Sequence, residues 1–337
     1  MKDNRLVKVG IHGFGRIGRG VYRAALDYPN IQIVVVADLY DENTMFHLLQ
    51  YDSIHGSLKN TIARTESGWS ADESNTCYHQ KTTPNEVIDW SQWEVDVVIE
   101  STGLFKSYEQ LSSHLSSGVS KVILSAPSEE EDVPMVVLGI NDDVIHQSNV
   151  ISCASCTTNS AAHMIQLIDE HCQIESCSIT TVHSYTGDQR LHDAPHKDWR
   201  RGRAAVQSIV PTTTGAAKAL TRIFPHLSDQ MGGCGMRVPV PDGSLTDITS
   251  IVKRPLSTDQ INDLFAKAAQ SRWAGIVEYT EDPIVSCDVI GNAHSCVYDA
   301  GLTSVIGNMV KVVGWYDNEV GYSHRLCDVV LKCKDNE

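Results

Sequence analysis

Val7-Lys8-Val9-Gly10-Ile11-His12-Gly13-Phe14-Gly15-Arg16-Ile17-Gly18 decides the fold, together with Ile31-Gln32-Ile33-Val34-Val35-Val36-Ala37-Asp38 a little further on. The apolar run from Leu6 to Ile11 reads as a buried strand, and Ile17, Val21, Ala24 and Ala25 then recur at helical spacing. The β-branched run 31–37 is a second strand, ending at Asp38. Strand, glycine turn, helix and strand in that order open a parallel βαβ unit. Gly13, Gly15 and Gly18 fit G-x-G-x-x-G in this context, which lets backbone N–H groups at a helix start approach a pyrophosphate. A carboxylate at Asp38 suits the ribose hydroxyls and would repel a 2′-phosphate, so NAD is expected over NADP. A glycine-rich turn followed by an unrelated aspartate is the blander reading.

Working outward, Val95 to Ile99, Lys121 to Ser125 and Met135 to Ile140 are further buried-strand candidates. Residues 1 to about 150 therefore fit an α/β, Rossmann-type doubly wound parallel sheet. The pattern then changes. Residues 158–170 read as a helix, Ile179 to His183 as a strand, and Ser184 to Arg203 as a long polar segment rich in Arg, His and Asp. Thr246 to Val252 and Met309 to Trp315 look like longer strands of a mostly antiparallel sheet, a second, α+β domain. From Asn318 onward, Val320, Leu326, Val329 and Val330 fall at helical spacing.

The chain has 337 residues, enough for two domains, with 42% hydrophobic and 20% charged residues. A net charge of -15 makes nucleic acid and anionic membrane poor partners, so an anionic substrate must be held by a local basic cluster. No apolar stretch suggests a signal peptide or a membrane span, and ten cysteines in this setting point to reduced thiols in a cytoplasm.

Ser152-Cys153-Ala154-Ser155-Cys156-Thr157-Thr158-Asn159 brings a thiol to the start of the 158–170 helix. There the dipole and unpaired N–H groups lower a thiol pKa and could steady an oxyanion, so Cys156 is a candidate nucleophile expected to be ionised. The same residues also fit an inert buried cysteine beside a helix cap. A thiolate needs a base, and 14 histidines compete; His183 has a rigid strand end in its favour. Cys153 and Cys156 make a C-x-x-C that could close as a disulfide under peroxide, although Cys153 also suits a buried role. No second pair follows at zinc spacing, so no metal site is expected.

Several stretches, in order, resemble the phosphorylating glyceraldehyde-3-phosphate dehydrogenases: Gly-Phe-Gly-Arg-Ile-Gly-Arg (13–19), Tyr-Asp-Ser-Ile-His-Gly (51–56), Glu-Ser-Thr-Gly-Leu-Phe (100–105) and Ala-Ser-Cys-Thr-Thr-Asn (154–159). His-Ser-Tyr-Thr-Gly-Asp-Gln (183–189), Pro-Thr-Thr-Thr-Gly-Ala-Ala-Lys (211–218), Arg-Val-Pro (237–239) and Trp-Tyr-Asp-Asn-Glu-Val-Gly-Tyr (315–322) continue the likeness. The resemblance implies an NAD-binding domain at 1–152, a catalytic domain at 153–317, and a C-terminal helix, 318–337, returning to the first. It implies Cys156 as nucleophile, His183 as base, and dinucleotide contacts from Arg16, Ile17, Asp38, Ser125, Asn318 and Tyr322. Thr186, Arg201 and Arg237 would grip the phosphate of glyceraldehyde 3-phosphate; Ser155, Thr157, Thr214 and Gly215 would receive inorganic phosphate. Arg200, Arg201 and Arg203 crowd together, so some of them serve as solvated or interface charges.

The implied activity is glycolytic and gluconeogenic, producing 1,3-bisphosphoglycerate in a homotetramer whose 184–203 loop lines a neighbour's cofactor site. Ala194-Pro195 and Asp38-Leu39 resemble the NAD-preferring pattern. Departures are Cys153 where asparagine is usual, Ser160 where a second cysteine is usual, Thr82 where an arginine near adenine is common, and the stretch 239–244. Erythrose-4-phosphate dehydrogenase shares the fold and chemistry but hydrolyses its acyl-enzyme, and the intact Thr213-Thr214-Gly215 disfavours it. A catalytically silent NAD-binding protein is the other alternative, disfavoured by the intact Cys156, His183, Arg237 and Asn318.

Overall fold

A computed structural model describes residues 6–71 and 76–334. The chain start and the last three residues of the expected 318–337 helix lie outside that range. The first sheet holds eight strands: β1 (Val7–His12), β2 (Ile31–Asp38), β3 (Ala63–Arg64), β4 (Gly68–Ser70), β5 (Thr76–Lys81), β6 (Val97–Glu100), β7 (Lys121–Leu124) and β8 (Val150–Ser152). They lie in the order β3-β4-β5-β2-β1-β6-β7-β8, parallel from β5 to β8 with an antiparallel edge at β3 and β4. The strand order reverses direction beside β1, the switch point where such sheets bind ligands. Helices α1 (Arg16–Ala25), α2 (Glu42–Gln50) and α3 (Tyr108–Ser112) accompany this sheet.

Val35, Val98, Leu111, Val122 and Trp90, all essentially inaccessible, form its core. β6 is buried along its whole length, as expected of a strand covered on both faces. Its last residue, Glu100, is a fully buried carboxylate and must therefore be supplied with donors. It accepts from His12 Nδ1 at 2.7 Å, His114 Nε2 at 3.3 Å and the Thr102 backbone N–H at 2.8 Å. Burial alone would raise this carboxyl, but the His114 and His12 hydrogen bonds hold it down to about 2. The indole N–H of Trp90 donates to His114 Nδ1 at 3.0 Å, so His114 carries its proton on Nε2. That nitrogen has no lone pair for a metal, and the His12–Glu100–His114 cluster is accordingly a structural network.

The second sheet holds β9 (Ile174–Ser184), β10 (Val210–Thr212), β11 (Met231–Val238), β12 (Ser244–Val252), β13 (Val277–Thr280), β14 (Cys296–Asp299), β15 (Ser304–Ile306) and β16 (Met309–Tyr316). Its order is β10-β11-β9-β12-β16-β14-β13, with β15 on β16; the β9–β11 and β13–β14 pairs are parallel and the others antiparallel. Burial alternates residue by residue along β12, the mark of a sheet with one packed face. Helix α4 (Cys156–Cys172) packs on β9, β12 and β16, and is joined by α5 (Gly215–Ile223) and α6 (Thr258–Gln270). Residues 185–209 form neither helix nor strand.

The chain divides into two compact units. Among the described residues, those within 6–136, 142–154 and 323–334 make the first; residues 137–141 and 155–322 make the second. Helix α7 (Val320–Lys332) thus carries the chain end back to the first unit, where Tyr28 Oη donates to Asp328 Oδ1 at 2.9 Å.

One expectation needs correction. Met135 to Ile140 is not a strand: Met135 makes one isolated bridge to Ser152, and Gly139 turns the chain at φ +81°. Val136, Val137 and Leu138 are buried, so the apolar run reported burial and not extension. The edge strands β3 to β5 had no sequence expectation, because short, half-exposed strands lack a periodic signal.

Glu100→Ala strands two buried imidazoles and should cost about 3 kcal/mol in urea unfolding at pH 7. Because Glu100 in the folded chain sits below the ordinary value of about 4.3, its contribution is complete above that pH and fades as pH falls toward 2. The gap between the variant and the unsubstituted chain should therefore narrow in acid; a constant gap would place the loss elsewhere.

Candidate active site

The glycine turn between β1 and α1 separates three demands. Gly13 has φ +89°, and a Cβ there would fall 2.5 Å from the Thr102 backbone nitrogen. A Cβ on Gly18 would fall 2.2 Å from Gly13 O, so helix and turn approach too closely for any side chain. Around Gly15 a Cβ would meet nothing within 4 Å, and Gly15, the residue preceding α1, makes no side-chain cap. The fold thus requires the first and third glycines, whereas the second leaves an open cradle over the N-terminus of α1. No acidic residue occupies the first turn of α1. The donor set fits a pyrophosphate.

Asp38 is aimed by the Phe14 N–H at 2.7 Å on one oxygen and the Tyr40 N–H at 3.1 Å on the other. Arg16, in the first turn beside Ile17, pairs with Asp52 at 2.5 Å. Burial would raise Asp52, but the N–H groups of His55 and Ile54 and the Arg16 guanidinium hold it down to about 2. Ser125 follows β7, its N–H donating to Glu100 O at 2.9 Å.

In the second unit, Ser155 caps α4 by accepting the Thr158 N–H at 3.1 Å, and Cys156 is the first helical residue. Ala154 stands just before at φ +52°, a left-handed conformation unusual for alanine. His183, near the end of β9, brings Nε2 to 3.5 Å from Cys156 Sγ. β9 and β11 run parallel with His183 opposite Arg237, whose Nη1 lies 2.8 Å from His183 Nδ1. Tyr316 presents its ring edge to the imidazole and spends its hydroxyl on Thr157 and Thr181 at 2.8 and 2.9 Å.

Burial at this helix start opposes the ionised thiol that the sequence leads one to expect. Burial pushes the Cys156 thiol up, with the Arg237 charge and Thr157 only partly opposing it. Burial and then Arg237 push His183 down to about 3. Desolvation thus works against the helix dipole on which the sequence argument relied. Cys153 is buried, and burial pushes its thiol up to about 12, which suits a core residue and not a resolving thiol.

Thr186, Arg201 and Arg237 come together around Asp188, a residue the residue-level reading did not single out. The Thr186 hydroxyl and the Arg201 guanidinium both donate to the Asp188 carboxylate, and Arg237 Nη1 reaches Thr186 Oγ1 at 3.4 Å. Of the three crowded arginines, Arg201 is the one in this network; Arg203 pairs with Asp193 at 3.0 Å. Thr214 caps α5 by accepting the Ala216 N–H at 3.2 Å, Gly215 follows with open space at its Cα, and α5 packs against α4. Ser155, Thr157, Thr214 and Gly215 therefore sit at two helix N-termini.

Asn318 Oδ1 accepts from Ser184 Oγ at 2.8 Å and Ser244 Oγ at 2.7 Å, which fixes its amide with the NH2 group available as donor. Its turn is held by Asp317, which accepts from the N–H groups of Glu319, Val320 and Gly291. Tyr322, in α7, is buried. Asp242 is also buried; burial, then the charges of Asp317 and Glu319, push its carboxyl up to about 8.

Fold and site define a dinucleotide-binding α/β oxidoreductase with a thiol–imidazole pair. Residues 7–108 match the family described as glyceraldehyde 3-phosphate dehydrogenase, NAD binding domain, and residues 155–318 match its C-terminal domain. Glyceraldehyde-3-phosphate dehydrogenase 2 of Streptomyces avermitilis is 47% identical over 329 residues, covering 96% of this chain and 98% of the relative. The glyceraldehyde-3-phosphate dehydrogenase of Mycobacterium avium is 46% identical over 336 residues (96% and 97%), and that of Geobacillus stearothermophilus 46% over 326 residues (96% and 97%). The chain belongs to the glyceraldehyde-3-phosphate dehydrogenase family.

Gly15→Ala should leave the melting temperature unchanged while weakening dinucleotide binding; Gly18→Ala should lower both. Equal thermal loss in the two variants would contradict the separation of roles. Asp242→Asn should stabilise the chain, because a carboxyl raised to about 8 makes folding less favourable as pH climbs from about 4 toward 8. The gain in urea midpoint should grow over that range, and a pH-independent gain would refute the neutral carboxyl.

Proposed function

We propose that this chain oxidises D-glyceraldehyde 3-phosphate with NAD and inorganic phosphate to 1,3-bisphosphoglycerate, with Cys156 as nucleophile and His183 as its base. The observation that carries the reading is the 3.5 Å approach of His183 Nε2 to Cys156 Sγ at the N-terminus of α4. Gly13, Gly15, Arg16, Ile17 and Gly18 would hold the pyrophosphate and Asp38 the ribose. Ser125 would line the cofactor cleft, Asn318 would hold the carboxamide through its NH2, and Tyr322 would pack nearby. When bound, the nicotinamide supplies an acceptor for hydride.

Cys156 Sγ bonds to the aldehyde carbon while its proton passes to His183 Nε2. The carbonyl oxygen is met by the first-turn N–H groups of α4 and takes that proton, giving a hemithioacetal. His183 removes the hydroxyl proton as the carbon is oxidised, leaving a thioester on Cys156. A phosphate oxygen then attacks the thioester carbon; the C–S bond breaks and the thiolate leaves. Thr186, Arg201 and Arg237 would hold the substrate phosphate throughout, and Ser155, Thr157, Thr214 and Gly215 the incoming one.

The setting proposed is a cytoplasmic homotetramer. Leu191, Trp199 and Ile209, which are 62%, 90% and 69% exposed in or just beyond the 184–203 segment, support an interface there. No helix among the described residues is long and apolar enough to cross a membrane.

An initial-rate matrix tests the reaction: glyceraldehyde 3-phosphate against erythrose 4-phosphate, NAD against NADP, with and without phosphate. The fastest NADH formation is expected with the first of each pair and with phosphate present. Cys156→Ser should abolish turnover and leave NAD binding intact. Phosphate-independent rates, or turnover in the serine variant, would defeat the proposal.

A further inference from the structure

Three neighbouring strands bring two serines and one amide to the same end of the second sheet. β9 ends at Ser184, β12 begins at Ser244, and Asn318 stands two residues beyond the end of β16. β12 pairs antiparallel with both β9 and β16, with Ser244 opposite Tyr316, so register fixes the grouping. Ser184 and Ser244 are fully buried and Asn318 nearly so. Their polar atoms must therefore be satisfied by one another or by the backbone.

Each hydroxyl has one proton, and both protons go to the same atom. Ser184 Oγ donates to Asn318 Oδ1 at 2.8 Å and Ser244 Oγ donates to it at 2.7 Å, while the Ser184 N–H donates to Ser244 Oγ at 3.1 Å. An amide oxygen has two lone pairs, so Oδ1 is saturated as an acceptor. Turning the amide over would strand two buried O–H groups, since among the described residues neither hydroxyl donates to any other atom. The serines, and not a ligand, thus set which way the amide points.

Asn318 is left with N–H donors only. A primary carboxamide such as that of nicotinamide offers both a carbonyl oxygen and an NH2 group. An amide that can only donate meets the carbonyl alone. Ser184 serves the base as well: its carbonyl oxygen lies 2.8 Å from His183 Nδ1 and accepts from Arg237 Nη1 at 2.9 Å. One residue therefore ties the amide to the strand that carries His183.

We propose that Ser184 and Ser244 are positioning residues that make Asn318 a donor-only clamp, so that the site reads the carbonyl of the nicotinamide carboxamide and not its NH2. The proposal rests on the role given above to Asn318 as holder of the carboxamide. It admits pyridine nucleotides that keep a carbonyl oxygen on the ring's 3-substituent and carry another small group in place of NH2.

Binding is the readout, because ring substituents also alter the redox potential and hence turnover. NAD and 3-acetylpyridine adenine dinucleotide, in which methyl replaces NH2, are titrated into the full-length protein by calorimetry. Asn318→Ala should weaken both ligands by the same factor, about tenfold, since only the shared carbonyl loses a partner. Ser184→Ala combined with Ser244→Ala frees Oδ1 to accept from NH2, and should shift the ratio of the two affinities toward NAD about fivefold. Serines with a merely structural role would weaken both ligands alike, and an unmoved ratio in the double variant overturns the proposal. So does an Asn318→Ala chain that loses more affinity for NAD than for the analogue, a result that holds even if the serine variants do not fold. The underlying reading fails separately: Asn318→Ala would then leave both affinities unchanged.

Discussion

One buried imidazole, set between a sulfur and a guanidinium, is the constraint on which the site turns. Its position follows from register: parallel pairing of β9 and β11 puts His183 opposite Arg237, and α4 lies across the same sheet with Cys156 at its first turn. Burial supplies the low dielectric that makes the contacts matter, and it opposes charge on both Cys156 and His183.

Much of this was legible in the sequence, for reasons that differ by residue. Gly13, Gly18 and Asp38 could be read because their roles are local: a turn, a close approach and a strand end are all encoded within one βαβ unit. Thr246 to Val252 reads as a strand, whereas the strict alternation of its burial is visible only in the fold. Cys156, His183 and Arg237 are far apart in sequence, and no periodicity links them, so their grouping came only from a resemblance carried by several motifs in order. Met135 to Ile140 misled because an apolar run reports burial before it reports conformation. Asp188 and Asp242 gave no signal of their own, since an aspartate in a polar or turn-like stretch reads as solvated until the fold encloses it. The opposition that Cys156 meets to ionisation has the same origin. The helix terminus is visible in sequence, but the desolvation that opposes it is not.

The first unit solves a related problem by a different route. Glu100 is buried at the end of β6 and stays charged because two imidazoles and Thr102 feed it hydrogen bonds. The Ser101 hydroxyl, next in the chain, donates to Gly13 O at 2.6 Å, so the glycine turn is braced from beneath by the same strand end. There the carboxylate is permanently satisfied, and the result is a rigid support. At His183 an acceptor, Ser184 O, and a donor, Arg237 Nη1, each lie 2.8 Å from the same Nδ1, so the ring is held from two sides.

The two groups of residues proposed to meet anions differ in kind. Ser155, Thr157, Thr214 and Gly215 offer hydroxyls and helix N-termini, dipoles that cost little to keep unfilled and carry no net charge near the imidazole. Thr186, Arg201 and Arg237 offer full charges, partly neutralised in advance by Asp188, which burial would raise but which the Thr186 hydroxyl and Arg201 hold ionised. In a chain of net charge -15, such a cluster is needed to attract an anion at all. Only the charged set includes a residue, Arg237, that also touches His183, so charge gathered there acts on the imidazole directly, whereas the helix termini reach it only through space.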